Sequence, residues 1–196
     1  MNLNIDVENV EQSFDRIARE LINKYELKIN DKIYQFIDLE FYFFCDSHED
    51  GFTLEEHIKR EGELEAHRYG VDISLGNSKD AYGGVLIRSL LYEDKVIHKS
   101  HVKNEIINNL QFGNNNIEIV KKKNVKAANI IRTERENFGK IDVAKNRKEK
   151  FKKKKYRFVV FDENVIRKLK GKETLLRKSE LSEDEIHKLI GYKLKK

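Results

Sequence analysis

The chain of 196 residues lacks proline and has a single cysteine, Cys45. One cysteine excludes an intrachain disulfide and a cysteine-rich zinc site, and a reducing cytoplasm is the simplest compartment for such a protein. No run of about 18 apolar residues occurs, so no segment is predicted to span a membrane. Residues 1–6 lack the basic and apolar regions of a secretory signal. The length is typical of one domain, and no proline-rich linker divides it.

Motifs of several large enzyme classes are also missing. Gly83-Gly84 fits neither a Walker loop nor a dinucleotide-binding loop, and no Gly-x-Ser-x-Gly elbow is present. His57 and His67 could join Asp46 or Asp50 as metal ligands. However, no pair of histidines has the spacing of a helical metal motif. We therefore predict neither a metal site nor a cofactor.

Charge is distributed unevenly along the chain. Residues 1–100 hold 12 Lys/Arg against 21 Asp/Glu, a net charge of −9, whereas residues 101–196 hold 27 against 13, a net of +14. Most of the excess lies in Lys121–Arg157, with 16 basic and 4 acidic residues. Such a segment is typical of a surface that binds phosphate backbones, although a solvated lysine-rich tail is the alternative. Residues predicted to contact nucleic acid are Arg68, Lys121, Lys122, Lys123, Lys153 and Lys154.

The most informative segment is the predicted strand Ile33–Phe44. Its aliphatic and aromatic residues favour a packed, pleated surface, yet it contains Asp38 and Glu40. Because side chains alternate along a strand, Asp38, Glu40 and Tyr42 should share one face. A carboxylate on a buried strand is costly unless it is paired, hydrogen-bonded or used. Glu40 is therefore the first candidate for a functional residue.

Periodicity and capping signals place the remaining elements. Helices are predicted at 8–26, 53–61, 102–110, 125–138, 163–170 and 182–189, turns at 28–31 and 76–80, and extended segments at 66–75, 82–91 and 156–161. Residues 117–120 are too few to assign. Buried-looking charges thus recur on further strands, at Asp72 and Arg88. An ion pair in which Arg88 only neutralises a carboxylate is the structural alternative to a catalytic role.

Among the histidines, His67 is the strongest candidate for a residue of the functional site. It lies where a loop runs into a predicted strand, beside Arg68-Tyr69-Gly70. An imidazole can donate hydrogen bonds or transfer protons near neutral pH. We therefore include His67 among the candidate substrate-binding residues.

The order of these segments resembles a known family. Ile17–Lys24 leads into Phe36–Tyr42, and Arg68-Tyr69-Gly70 and Gly84–Leu90 follow. Over about residues 14–91 this resembles the alkyladenine (3-methylpurine) DNA glycosylase family. The resemblance implies one α+β domain over residues 1–196, with a curved, mostly antiparallel sheet flanked by helices. Whether the basic segment near 121–155 is flexible stays open.

The resemblance also implies roles for individual residues. Glu40 falls on the glutamate that activates the water attacking C1′, and Tyr42 on an aromatic that stacks on the flipped base. Tyr69 falls near the tyrosine that wedges into the duplex, and Arg88 on an arginine that positions groups at the site edge. Asp72 lies near an asparagine that discriminates bases. The implied activity is that of a monomeric, monofunctional DNA glycosylase that needs no cofactor.

Departures from the family leave the excised base open, since Asp-Leu-Glu-Phe-Tyr replaces Glu-Thr-Glu-Ala-Tyr and Asp72 replaces an amide. Two other functions remain. Asp38, Glu40 and Asp72 could bind Mg²⁺ in a metal-dependent nuclease. A non-catalytic nucleic-acid-binding module, in which Glu40 and Arg88 form a structural pair, is the other. RNA is an alternative to DNA throughout.

Overall fold

A computed structural model of the protein describes residues 1–53, 60–78, 80–113, 115–136 and 150–194. The described chain forms an α+β fold in which helices pack on a curled antiparallel sheet, as predicted. None of the helices in these ranges is both long and apolar enough to cross a membrane.

Helix α1 (Val10–Lys24) covers one face of the sheet. Its buried side chains recur at spacings of three and four, as the sequence predicted: Val10, Phe14, Ile17, Ala18, Leu21 and Ile22. The Phe14 ring packs on Phe41 of the central strand, with 4.9 Å between ring centroids. The apolar stripe of α1 thereby fixes which face of that strand is the hydrophobic one.

The strands are Tyr25–Ile29 (β1), Lys32–Cys45 (β2), His48–Glu49 (β3), Leu64–His67 (β4), Gly70–Ser78 (β5), Ala81–Tyr92 (β6), Lys95–His98 (β7), Ile117–Lys121 (β8), Ile130–Thr133 (β9) and Arg157–Val160 (β10). The main path runs β4-β5-β6-β2-β1-β8. Strand β2 pairs along one side with β6, and on its other side first with β1 and then with β10. Strand β2 is therefore the centre of the sheet.

Helix α2 (Lys99–Asn108) packs against β5, β6 and β7. Its Glu105 accepts a hydrogen bond of 3.0 Å from the Tyr34 hydroxyl. Three short helices follow β10: Glu163–Lys168, Lys172–Arg177 and Glu183–Ile190. Thr133 of β9 donates a hydrogen bond of 3.0 Å to the Leu175 carbonyl, which ties these helices to the sheet.

Several local predictions need correction. The described part of the predicted helix 125–138 contains strand β9 instead, because Ile131 and Thr133 are buried at period 2 and the segment pairs with β10. The predicted extended segment 66–75 is split into the β4–β5 hairpin. Residue 28 belongs to β1, and the turn contains only Asn30 and Asp31. Asn30 has a φ of +52°, a conformation that asparagine tolerates better than most residues.

Other predictions are confirmed or extended. The capping box at Ser182 and Glu185 begins the last helix. Residues 117–120, left unassigned from sequence, lie in β8. The greater part of the predicted helix 53–61 lies outside the described residues, as do residues 137–149 of the basic segment.

Candidate active site

Glu40 lies at the centre of the sheet, on the face opposite Phe41, and its side chain is fully buried. Its Oε1 accepts hydrogen bonds from the Tyr42 hydroxyl at 2.9 Å and from the Glu136 backbone N–H at 3.2 Å. Its Oε2 accepts a bond of 2.5 Å from Nη1 of Arg88. Three donors from three parts of the chain thus converge on one carboxylate.

Strand register explains this convergence. Glu40 pairs with Leu86 of β6 on one side and with Arg157 of β10 on the other. Arg88, two residues beyond Leu86, reaches Glu40 from the neighbouring strand. An irregularity in the β2–β6 register at Ile37 and Asp38 lies beside this contact. Such irregularities change the local direction of side chains.

The ion pairs extend from Glu40 into a cluster of five charged residues, here called the central cluster: Asp38, Glu40, Arg88, Glu136 and Arg157. Asp38 accepts two hydrogen bonds from Arg157, at 2.9 and 2.8 Å. Glu136 lies 3.1 Å from Nη1 of Arg157 and 3.7 Å from Nη2 of Arg88. Three carboxylates against two guanidinium groups leave one formal negative charge.

Burial alone would lower the pKa of Arg88, but the charges of Glu40 and Asp38 outweigh burial and raise it. The pKa of Arg157 is likewise raised against burial, chiefly by Asp38. Both arginines are therefore permanently charged, and the neighbouring carboxylates offset the desolvation cost of burying them.

Sequence reasoning anticipated Glu40, Asp38 and Arg88 but missed two members of the central cluster. Arg157 is the one charged residue inside the apolar segment 156–161, and that signal was available. Glu136 follows β9 without regular structure, and no periodicity distinguishes it. Its place beside Glu40 follows from the tertiary path alone.

Tyr42 is partly buried, and both its hydroxyl and its ring contact other residues of the protein. Its hydroxyl binds Glu40, and its ring faces the guanidinium of Arg135, with 4.7 Å between the Arg135 Cζ and the ring centroid. Burial and the nearby Glu40 charge raise the pKa of Tyr42 well above its ordinary value. In this arrangement Tyr42 orients Glu40, and stacking on a base stays a prediction.

His67 and Asp72 meet on the same face of the sheet. Nε2 of His67 lies 3.0 Å from Oδ1 of Asp72. Asp72 pairs with Leu86, which in turn pairs with Glu40, so these three residues form one row across β5, β6 and β2. Two strand spacings of about 4.8 Å put Asp72 roughly 10 Å from Glu40.

The turn between β4 and β5 presents Arg68 and Tyr69. Tyr69 is one of the exposed large side chains, at 42% of its full exposure. The Arg68 guanidinium lies over the Tyr69 ring at 5.6 Å. We call the face of the sheet that carries Glu40, His67 and Asp72 the polar face. Tyr69 precedes Asp72 by three residues, so an exposed aromatic and a cation lie near the edge of this face.

The lysines predicted to bind nucleic acid differ in their exposure and in whether they already contact another residue. Lys121, Lys123 and Lys153 are exposed. Lys122 donates a bond of 2.7 Å to the Ile22 carbonyl, and burial lowers its pKa. Lys154 forms an ion pair of 2.6 Å with Glu11. Only part of the positive charge counted in the basic segment is therefore on the surface.

A second buried ion pair adjoins the central cluster. Arg135 binds Asp50 at 2.5 and 3.1 Å, and neither side chain is exposed. Asp50, considered from the sequence as a metal ligand, is thus bound to a guanidinium, and His57 lies outside the described residues. Across the described ranges no group of three His, Cys, Asp or Glu side chains is arranged to hold a metal ion.

The fold and site together define an α+β protein with a buried carboxylate–guanidinium cluster on the polar face of its sheet. Comparisons with protein-family models, curated protein sequences and solved structures find no match for this chain.

Proposed function

We propose that the protein is an N-glycosylase that removes a damaged or modified base from duplex DNA, with Glu40 activating the attacking water. This proposal rests on the number of hydrogen bonds that each carboxylate oxygen of Glu40 accepts. Each carboxylate oxygen can accept about two hydrogen bonds. Oε1 accepts two, whereas Oε2 accepts one from the described residues, that from Arg88. The second acceptor position of Oε2 could hold the attacking water once substrate binding opens the fully buried Glu40 side chain.

The surroundings suit the charge that this reaction develops. Cleavage of an N-glycosidic bond places positive charge on the sugar, as in other glycoside hydrolyses. The central cluster has one more carboxylate than guanidinium groups, so its net negative charge stabilises that sugar. Neither a metal nor a cofactor is required.

The edge of the polar face suits DNA that has been opened. A base must leave the stack before such chemistry, at a cost of a few kcal/mol. Tyr69 on the exposed hairpin tip provides an aromatic wedge, and Arg68 provides a cation for phosphate. His67 and Asp72, one row from Leu86, provide hydrogen-bonding groups for a base edge. Lys121, Lys123 and Lys153 add salt-dependent affinity.

The test is base release from duplex DNA that contains varied modified bases, measured by mass spectrometry. Glu40→Gln keeps the shape of the side chain and removes its basicity. We expect it to lower the rate by about 10²- to 10⁴-fold, the usual contribution of a general base. Glu93→Gln, a change at an exposed glutamate, is the matched control and should act like wild type. Equal release by wild type and Glu40→Gln would refute this role.

A second candidate is a nucleic-acid-binding module without catalysis. It is favoured by the Asp38–Arg157 pair, in which both carboxylate oxygens are occupied by one guanidinium, as in a structural ion pair. This candidate predicts no product from any substrate and the same DNA affinity for wild type and Glu40→Gln.

The nuclease alternative gains nothing from the geometry, since Asp38 and Glu40 each contact a guanidinium that competes with Mg²⁺. Strand cleavage of undamaged DNA that EDTA abolishes would restore the nuclease reading. RNA as the substrate would show as base release from modified RNA in the same assay.

A further inference from the structure

Lys99 is the first residue of α2, and its side chain lies beside Gly70, the residue that follows the hairpin tip. A Cβ added at Gly70 would lie 3.6 Å from Cγ of Lys99 and 2.7 Å from Cδ1 of Leu86. Gly70 follows directly on Tyr69, and Leu86 stands between Asp72 and Glu40 in the register. The absence of a side chain at Gly70 thus leaves room for the Lys99 side chain beside the start of β5.

The Lys99 amine is unusual because its side chain is partly buried but makes no direct polar contact with the described residues. Its side chain is partly buried, yet it forms no hydrogen bond or ion pair with the residues that the structure describes. A lysine held near acids without a direct partner keeps its lone pair available once it loses its proton.

The surroundings of the Lys99 amine favour loss of its proton. Burial, with the positive charges of Arg88 and Arg157, lowers the pKa of Lys99, while Glu40 and Asp72 oppose this change. On β7, which also packs against α2, the titratable groups are Lys95 and His98. Burial lowers the pKa of His98 as well, so this imidazole adds little positive charge near neutral pH.

We propose that Lys99 gives the protein a second activity, that of an abasic-site lyase acting through a Schiff base with the sugar aldehyde, in contrast to the monofunctional activity that the family resemblance implies. The inference rests on the proposed function for its substrate class, because base removal produces such an aldehyde in DNA. Burial and a neighbouring cation are what activate Schiff-base lysines, and Lys99 is partly buried and under the influence of the Arg88 charge.

The steps balance without an oxidant or reductant. The Nζ lone pair attacks the C1′ aldehyde, and uptake of one proton from solvent with loss of water leaves a protonated imine. The imine draws electrons from the C2′–H bond, whose proton passes to the Asp72 carboxylate. A C2′–C3′ double bond forms as the C3′–O bond breaks, and the 3′ phosphate leaves with the bonding electrons. Water then hydrolyses the protonated imine, which releases an unsaturated aldehyde, the free Lys99 amine and the proton taken up in the first step.

The experiment uses the full chain and duplex DNA that contains one preformed abasic aldehyde, so it does not depend on base removal. Sodium cyanoborohydride reduces the imine to a stable bond, and a denaturing gel measures the covalent adduct. Without the reductant, the same DNA should be nicked. A stable abasic analogue that lacks the aldehyde should give neither adduct nor nick. Peptide mass spectrometry of the wild-type adduct should locate the DNA on Lys99, and an adduct mapped to another lysine would overturn the proposal.

Two variants sharpen the result. Lys99→Arg keeps the positive charge but cannot form the imine, so the adduct should fall at least tenfold, while DNA affinity stays within about twofold. Lys95→Gln, a change at an exposed lysine on the adjoining strand, should leave adduct formation unchanged. Full trapping by Lys99→Arg would show that Lys99 only anchors phosphate, against the proposal. The trapping rate of wild type should rise with a midpoint below the ordinary lysine pKa of about 10.4, and a midpoint at the ordinary value would count against it.

Discussion

Replacement of Arg135 by methionine should destabilise the protein more than a typical point mutation. Both partners of the Arg135–Asp50 pair are fully buried, and Arg135 also donates to the carbonyls of Phe41 and Phe151 at 3.0 and 3.3 Å. Methionine fills much of the same volume but removes the guanidinium that neutralises the buried Asp50 charge and donates to these two carbonyls.

The magnitude follows from what is left unpaired. Removing one partner of a buried ion pair costs about 3–5 kcal/mol. In a chain of this size, 1 kcal/mol corresponds to roughly 2–4 °C in Tm, so the expected loss is about 6–20 °C. Urea unfolding followed by circular dichroism measures the free energy, and a thermal melt measures Tm.

A double-mutant cycle separates the pair from its surroundings. Asp50→Asn and Arg135→Met should each be costly, and together they should cost less than the sum by about 0.5–3 kcal/mol. Arg167→Met breaks an exposed pair with Glu163 and should cost no more than about 1 kcal/mol. Strict additivity, or a loss at Arg135 as small as that at Arg167, would refute the reasoning.

The same variant should also impair the proposed chemistry. Arg135 directly precedes Glu136, whose N–H donates to Glu40. Loss of this anchor should loosen that contact and lower base release at temperatures where the variant is still folded. Unchanged release would show that the Glu136 donor is not needed.

Two further predictions concern the fold. Gly83→Ala should be strongly destabilising, because its Cβ would lie 2.2 Å from the backbone oxygen of Tyr42, whereas Gly84→Ala meets Asp72 side-chain atoms at 3.2 Å or more. Urea unfolding should show a cost of about 1–3 kcal/mol or more for the first and a smaller one for the second, and the reverse order would contradict this register. Ser182→Ala removes the capping box of the last helix and should cost about 0.5–2 kcal/mol, and a thermal melt identical to wild type would show that this helix end contributes nothing.

Much of the fold was accessible from local patterns. Helix α1 and strand β2 were predicted because their apolar periodicity is strong over many residues. The helix predicted at 125–138 was wrong because its apolar face was thin, and pairing with β10 outweighed local preference. The β4–β5 hairpin was missed because Arg68 and Tyr69 are not strong turn formers.

Only part of the candidate site could be predicted from the sequence. Alternation along β2 places Asp38, Glu40 and Tyr42 on one face whatever the rest of the chain does. That β6 supplies Arg88 and that β10 supplies Arg157 depends on which strands pair with β2 and in which register. These pairings join residues about 50 and 120 positions apart, as the Arg88–Glu40 and Arg157–Asp38 bonds show.

The sequence by itself therefore determined that an acid on a buried strand needed partners, because a carboxylate cannot be buried alone. The tertiary structure decided which partners it has. Glu136 and Lys99 belong to the polar face only because the segment after β9 and the start of α2 are brought over it. No spacing in the chain encodes those approaches, since they depend on long-range packing and hydrogen bonds that form together when the sheet folds.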